Sequence, residues 1–147
     1  MPLDLPDLLK MEKDELDELF RQSPAGELPD GDADGIVLIE PGAQISGLAS
    51  KIIHLVAWRG KVFRRAKGDL KNKILPLGIK AVRAKVYKDA SWLDQKETIV
   101  LDYSKTSLVA HWIRDEIRLI APDFYLGRVY WDKRALIHFS LDFAAQQ

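Results

Sequence analysis

Four runs concentrate the side chains that could do chemistry: Ser91-Trp92-Leu93-Asp94, Thr98 through Tyr103, Ile113 through Arg118, and Tyr125 through Tyr130. If the third run is a strand, Arg114, Glu116 and Arg118 share one face. Turned outward, that face is the ordinary polar side of a half-buried sheet. Turned inward, its charges must be paired, because an unpaired buried charge is too costly. An arginine beside a tyrosine in an apolar cavity would then suit a carboxylate head group, since guanidinium binds carboxylate bidentately. Both orientations are open at this level. For a binding module the expected lining is Trp58, Trp92, Tyr103, Arg114 and Tyr125, with Arg118 as polar anchor. For an enzyme using the same concavity, Asp102, Tyr103 and His138 are the acid or base candidates, and Arg114 or Arg118 would stabilise developing negative charge. The reaction would be a hydrolysis or isomerisation needing neither metal nor dinucleotide. No nucleophile elbow and no carboxylate pair at a defined spacing occurs, so binding is favoured over catalysis.

Other motifs carry less. Asp30-Gly31-Asp32-Ala33-Asp34-Gly35 matches the opening of a calcium-binding EF-hand loop, with Val37 at the apolar eighth position. Position twelve, which needs a bidentate Glu, is Pro41, and Pro41-Gly42 forbids an exit helix. An acidic surface turn is the favoured reading, and no metal is expected. His54, His111 and His138 have no zinc-site spacing. His138 shares a strand face with Leu136, Ser140 and Asp142, either solvent or a polar patch in a pocket, whereas Ile137, Phe139, Leu141 and Phe143 form an apolar face. Cysteine is absent, which excludes a disulfide framework, thiol redox chemistry and a cysteine nucleophile. Neither glycine-rich phosphate-binding motif occurs, so no cofactor is expected.

The 147 residues hold 22 Lys plus Arg against 22 Asp plus Glu, yet the balance is split. Residues 1–50 carry 12 acids and 3 bases, a net of −9; residues 51–147 carry 19 bases and 10 acids, a net of +9. Mutual docking of the two parts is expected, with the first 22 residues as an acidic lid. Between Lys51 and Lys88 there are 12 Lys or Arg, interleaved with Trp58, Phe63 and Tyr87, and Asp69 is the one acid. That composition suits an anionic polymer or lipid surface. No RNP, KH or helix-turn-helix pattern accompanies it, so a nucleic-acid partner is disfavoured and a basic-surface interaction protein is the third reading. There is no basic n-region and no apolar run near the ~20 residues of a membrane span, so a cytoplasmic location is the default. A homodimer is left open.

The elements that must position these residues follow from periodicity. Asp7 to Gln22 has Leu8, Leu9, Leu16, Leu19 and Phe20 at helical spacing. Pro29 to Gly35 reads as a turn and Ile36 to Ile39 as an isolated strand. Ile45, Leu48, Ile52, Leu55 and Val56 recur at threes and fours, predicting a second helix from Gly47 to Trp58. A period of two then dominates: Ile79 to Lys88, Thr98 to Tyr103, Ser107 to Ile113, Glu116 to Ile120, Phe124 to Trp131 and Ala135 to Phe143 read as strands joined by short connections, Arg114-Asp115 among them. The expected fold is one β-rich α+β domain over 1–147: an antiparallel barrel or strongly curved sheet through 61–143 with two N-terminal helices, over 1–22 and 45–58.

The sequences Trp58-Arg59-Gly60-Lys61-Val62-Phe63, Asn72 to Pro76, Ser91-Trp92, Leu101-Asp102-Tyr103, Arg114 to Arg118, Tyr125-Leu126-Gly127 and Phe139 to Phe143 resemble those of a small uncharacterised bacterial family that looks lipocalin-like. The usual early G-x-W strand is absent, with Trp58 on or after a predicted helix. The resemblance implies a calyx for an amphipathic small molecule; the binding reading of the residues makes that a fatty-acid-like or other hydrophobic ligand, to which an inward arginine would add a carboxylate.

Overall fold

From Gly31 onward the chain alternates small or apolar side chains with polar ones, and it folds accordingly. The structure is a computed structural model and describes residues 3–38, 57–75, 83–105 and 111–143. Eight strands follow in order: β1 (Gly31–Leu38), β2 (Ala57–Arg64), β3 (Asp69–Leu75), β4 (Arg83–Ala90), β5 (Glu97–Asp102), β6 (Ile113–Ala121), β7 (Phe124–Trp131) and β8 (Arg134–Asp142). Each pairs antiparallel with its sequence neighbour, and β8 pairs with β1, closing a barrel. Closure removes the open edges that a meander of this length would otherwise expose.

Register fixes what lies inside. The row Leu101, Asp115, Val129, Ile137 runs directly across β5 to β8, next to the row Ile99, Ile117, Gly127, Phe139, Val37. Both face the interior, whose cluster also includes Ala33, Phe63, Leu70, Ala84, Tyr103, Tyr125 and Phe143. Gly127 is required here by close approach: a Cβ on it would stand 2.2 Å from Cζ of Phe139. The alternate residues face out, as in the row Val100, Glu116, Arg128, His138, Leu38.

Two helices precede the barrel, α1 (Leu5–Leu9) and α2 (Lys13–Gln22). The predicted single helix is therefore two. Asp4 and Asp7 cap α1 reciprocally, with Pro6 in its first turn, and the Glu12 N–H donates to Glu15 Oε1 where α2 begins. Leu8, Leu16 and Phe20 are buried against Leu38, Phe124 and Leu126, on the outer side of the wall. The acidic N-terminus thus covers a flank of the barrel, differing from the expected lid. The residues after α2 do cross one end: Leu119 N–H donates to Pro24 O at 3.0 Å, Tyr125 Oη donates to Glu27 O at 2.8 Å, and Ala25 joins the interior cluster.

Several expectations change. The acidic turn over 29–35 is mostly strand: β1 starts at Gly31, and the strand expected to be isolated joins β2 to β8. Asp32 and Asp34 occupy the outward positions while Ala33 and Gly35 fill the inward ones, so the alternation is real but its inner residues are small. Extended backbone there does not form a calcium loop, and Asp30 Oδ1 accepts the Arg65 N–H at 3.0 Å. Among the described residues no three His, Asp or Glu side chains gather closely enough to hold a metal. Ala57 and Trp58 belong to β2, and the rest of the predicted second helix lies outside the described residues. Arg114-Asp115 is interior to β6, and His111-Trp112 is a turn rather than strand. Residues 107–110 of that expected strand are outside the described residues. Among the described residues no helix is long and apolar enough to cross a membrane.

Candidate functional site

The inward faces of β2 and β6 carry a charged pair that an apolar barrel would not need for packing. Lys61 precedes Phe63 by two residues and Asp115 precedes Ile117 by two, so each charge is in phase with core side chains. Both residues are only 3% exposed. Lys61 Nζ lies 3.3 Å from Asp115 Oδ2 and donates to Tyr103 Oη at 2.6 Å, and Tyr103 Oη donates to Asp115 Oδ2 at 3.4 Å. The ammonium also stands over the rings of Tyr103 and Phe139, at 5.4 and 5.6 Å from their centroids. Asp115 Oδ1 is buried and has no hydrogen-bond partner among the described residues.

Burial acts on the two charges in opposite directions. It pulls the Lys61 ammonium below its ordinary value, which Asp115 only partly offsets, and it pushes the Asp115 carboxyl above the usual range against the pull of Lys61 and Tyr103. The cluster occupies the half of the interior away from the Pro24 crossing, because Tyr103 follows the last residue of β5 and Asp115 lies near the start of β6. Phe63, Tyr125 and Phe143 fill the other half, with Phe143 5.6 Å from Phe63 and 5.5 Å from Tyr125 between ring centroids. One half is thus packed with aromatics and the other carries polar atoms in a low-dielectric wall.

The residues expected to line a cavity divide between the two sides. Tyr103 and Tyr125 are inside. Trp92, in the β4–β5 connection, and Arg114 and Arg118, on β6, are on the outer wall, where Arg114 holds that connection and Arg118 holds both it and α2. Arg114 stacks over the Trp92 ring at 4.2 Å and bonds Glu116, whose carboxylate also accepts from Ser91 Oγ and Trp92 N–H. Arg118, 1% exposed, makes a bidentate pair with Asp94 at 2.7 Å on both arms and donates to the Phe20 carbonyl at 2.8 Å. The inward clamp is therefore not what this arginine forms. Trp58 is in β2, and its side chain lies outside what the structure describes.

Nor are the acid and base candidates brought together. Tyr103 is interior, whereas Asp102 faces out and accepts from Tyr87 Oη at 2.8 Å and from Ser104. His138 faces out on β8, with Nε2 2.7 Å from Asp17 Oδ1, which also accepts from Arg128 at 2.9 Å. Arg128 in turn bonds Tyr130, whose ring meets the edge of Trp92. These contacts anchor α2 to the barrel flank. Of the basic stretch, Lys61 turns inward, while Lys71, Arg83 and Lys85 take outward positions on β3 and β4.

The outer-wall pairing predicts an acid-sensitive contact. The Arg118 guanidinium holds the Asp94 carboxyl down to about 2. A depressed carboxyl stabilises the fold fully above its unfolded value of about 3.9 and loses that contribution as pH falls through the folded value. Asp94→Asn should be less stable than the parent in urea at pH 7, with the difference shrinking from about pH 4 down to pH 2. A difference that is constant with pH would assign the effect to something other than this carboxylate.

No protein family matches the chain, and no curated protein does. Among solved structures, a crystal structure of a protein from Thermomonospora curvata is similar, with a TM-score of 0.61 at 16% identity over 90% of this chain and 88% of that one. At that identity the likeness concerns the fold alone. The closed eight-stranded antiparallel barrel is compatible with a lipocalin-like architecture, and with small-molecule binding.

Proposed function

We propose that the protein binds an amphipathic small molecule, fatty-acid-like and bearing a carboxylate, inside the barrel with Lys61 as its polar anchor. The observation that supports this is the Lys61, Tyr103 and Asp115 cluster set among the apolar side chains of the interior cluster, such as Ile99, Leu101, Ile117 and Phe139. Closed barrels of about eight strands have interiors wide enough for side chains or one small ligand. Ligand sites of this kind are mainly apolar with a few placed polar groups. A lysine held in a low-dielectric wall offers a carboxylate a charge-assisted bond that water screens poorly. Tyr103 adds a hydroxyl beside it, and Tyr125 extends the aromatic wall toward the far end.

The test uses laurate, with dodecanol as the uncharged control of equal chain length. At 100 times its dissociation constant a ligand stabilises by about 2.7 kcal/mol, equivalent to a melting-temperature rise of about 5–10 °C for a chain of this size. Laurate should give that rise and dodecanol a smaller one. The double variant Lys61→Met with Asp115→Leu should lose the preference for laurate while keeping the response to dodecanol. No response to laurate in the parent protein, or an equal laurate response in the double variant, would sink the proposal.

A further inference from the structure

The proposed carboxylate ligand creates a problem of charge that Asp115 is placed to solve, a role that rests on the binding reading above. Counted as a pair, Lys61 and Asp115 carry no net charge. That holds whether the single proton they share sits on the amine, giving an ion pair, or on the carboxyl, giving a neutral pair. Adding a ligand carboxylate would leave two carboxylates and one ammonium in a wall where each residue is 3% exposed. Two like charges a few ångströms apart in such a place cannot both ionise.

One more proton removes the excess. Asp115 Oδ2 is the oxygen engaged with Lys61 and Tyr103, at 3.3 and 3.4 Å. Oδ1 is buried with no partner among the described residues, although a buried acceptor is costly to leave unmade. A proton on Oδ1 turns this idle acceptor into a donor. We propose that the barrel takes up its carboxylate ligand together with one proton, so that Asp115 Oδ1–H donates to the ligand carboxylate while the Lys61 ammonium balances its charge. No covalent bond changes in the ligand: the proton comes from solvent and returns there when the ligand leaves.

Among the described residues, the groups facing Asp115 set the count at one. Its cross-strand neighbours on β5 and β7 are Leu101 and Val129, neither of which titrates. From β2 comes Lys61 and from the end of β5 comes Tyr103, and among the described residues these act on the carboxyl. Arg114 and Glu116, its neighbours on β6, point to the other side of the wall. Burial already favours the protonated form of Asp115, which lowers the cost of the uptake.

Calorimetry of laurate binding to the full chain, in two buffers of different ionisation enthalpy at the same pH, reads proton uptake directly. Close to one proton per bound laurate is expected around neutral pH, with laurate affinity falling about tenfold per pH unit on the alkaline side. Dodecanol should bind with no proton uptake and no pH dependence. Asp115→Asn removes the carboxyl that takes the proton. At pH values low enough for Lys61 to be charged in the free variant, a range that loss of the Asp115 partner moves downward, laurate should bind with zero uptake and a flat pH profile. Laurate bound by the parent without proton uptake, or a pH slope that persists in Asp115→Asn on that acid side where Lys61 is charged, would overturn this inference and leave the binding reading standing. Failure of laurate to bind at any pH would overturn both.

Discussion

Arg118→Met should destabilise the protein by about 3–5 kcal/mol, the usual cost of removing one partner from a buried ion pair. The arginine is locked from three directions. Asp94 takes both arms of its guanidinium, the Phe20 carbonyl at the end of α2 accepts at 2.8 Å, and the Glu97 and Lys96 carbonyls accept at 3.2 Å. The Phe20 ring lies 4.5 Å from the guanidinium carbon. Methionine would fill part of the space but leave a carboxylate and several carbonyls without their donor. Lysine would keep the charge without the planar fork, so Arg118→Lys should also be destabilised. Urea unfolding at pH 7 measures the loss, and a change below about 1 kcal/mol would mean that the junction of α2, the β4–β5 connection and β6 does not depend on this residue. Because Arg118 is on the outer wall, the folded fraction of Arg118→Met should bind laurate as the parent does, which separates a structural arginine from a ligand anchor.

The second large effect is expected at Lys61. Lys61→Met leaves Asp115 in an apolar interior with Tyr103 as its remaining donor, again at a cost of about 3–5 kcal/mol. Protonation of Asp115 limits that loss, so Lys61→Met should recover stability as pH falls through the raised folded value of Asp115 toward the unfolded carboxyl value of about 3.9. Adding Asp115→Leu should restore most of the stability at neutral pH, since replacing a whole buried pair by apolar side chains is often neutral or stabilising. The comparison is made by denaturant unfolding of the two single variants and the double variant. If the double variant is no more stable than the worse single one, the two side chains are not an energetic pair.

These effects are unequally visible in the sequence. Period-two alternation is a local property of the chain, so β7 is predicted with the same ends and β5 and β8 within one residue of theirs. The same alternation correctly groups Arg114, Glu116 and Arg118 on one face and Ile137, Phe139, Leu141 and Phe143 on the other. It fails where inner residues are small, as in β1, whose Ala33 and Gly35 carry little hydrophobic signal. It also misplaces Asp115, because Arg114-Asp115-Glu116 is as polar as a turn. The clue lies in phase: Asp115 falls in step with Ile113, Ile117 and Leu119, and Lys61 with Phe63.

What the sequence determined by itself is the element type: strands from short-range alternation, an amphipathic acidic N-terminus from helical spacing, and the residues that share each strand face. Which face is inside was decided only by the tertiary structure. Every residue of β7 from Phe124 to Tyr130 is buried, because α2 and the β4–β5 connection cover the outer wall as the barrel closes over the inner one. Burial on both sides erases the contrast between polar and apolar faces that would reveal orientation. The meeting of Lys61, Tyr103 and Asp115 is likewise a product of closure, since their distances depend on the register of strands far apart in the chain. Local patterns carry no information about that register beyond each strand's own alternation.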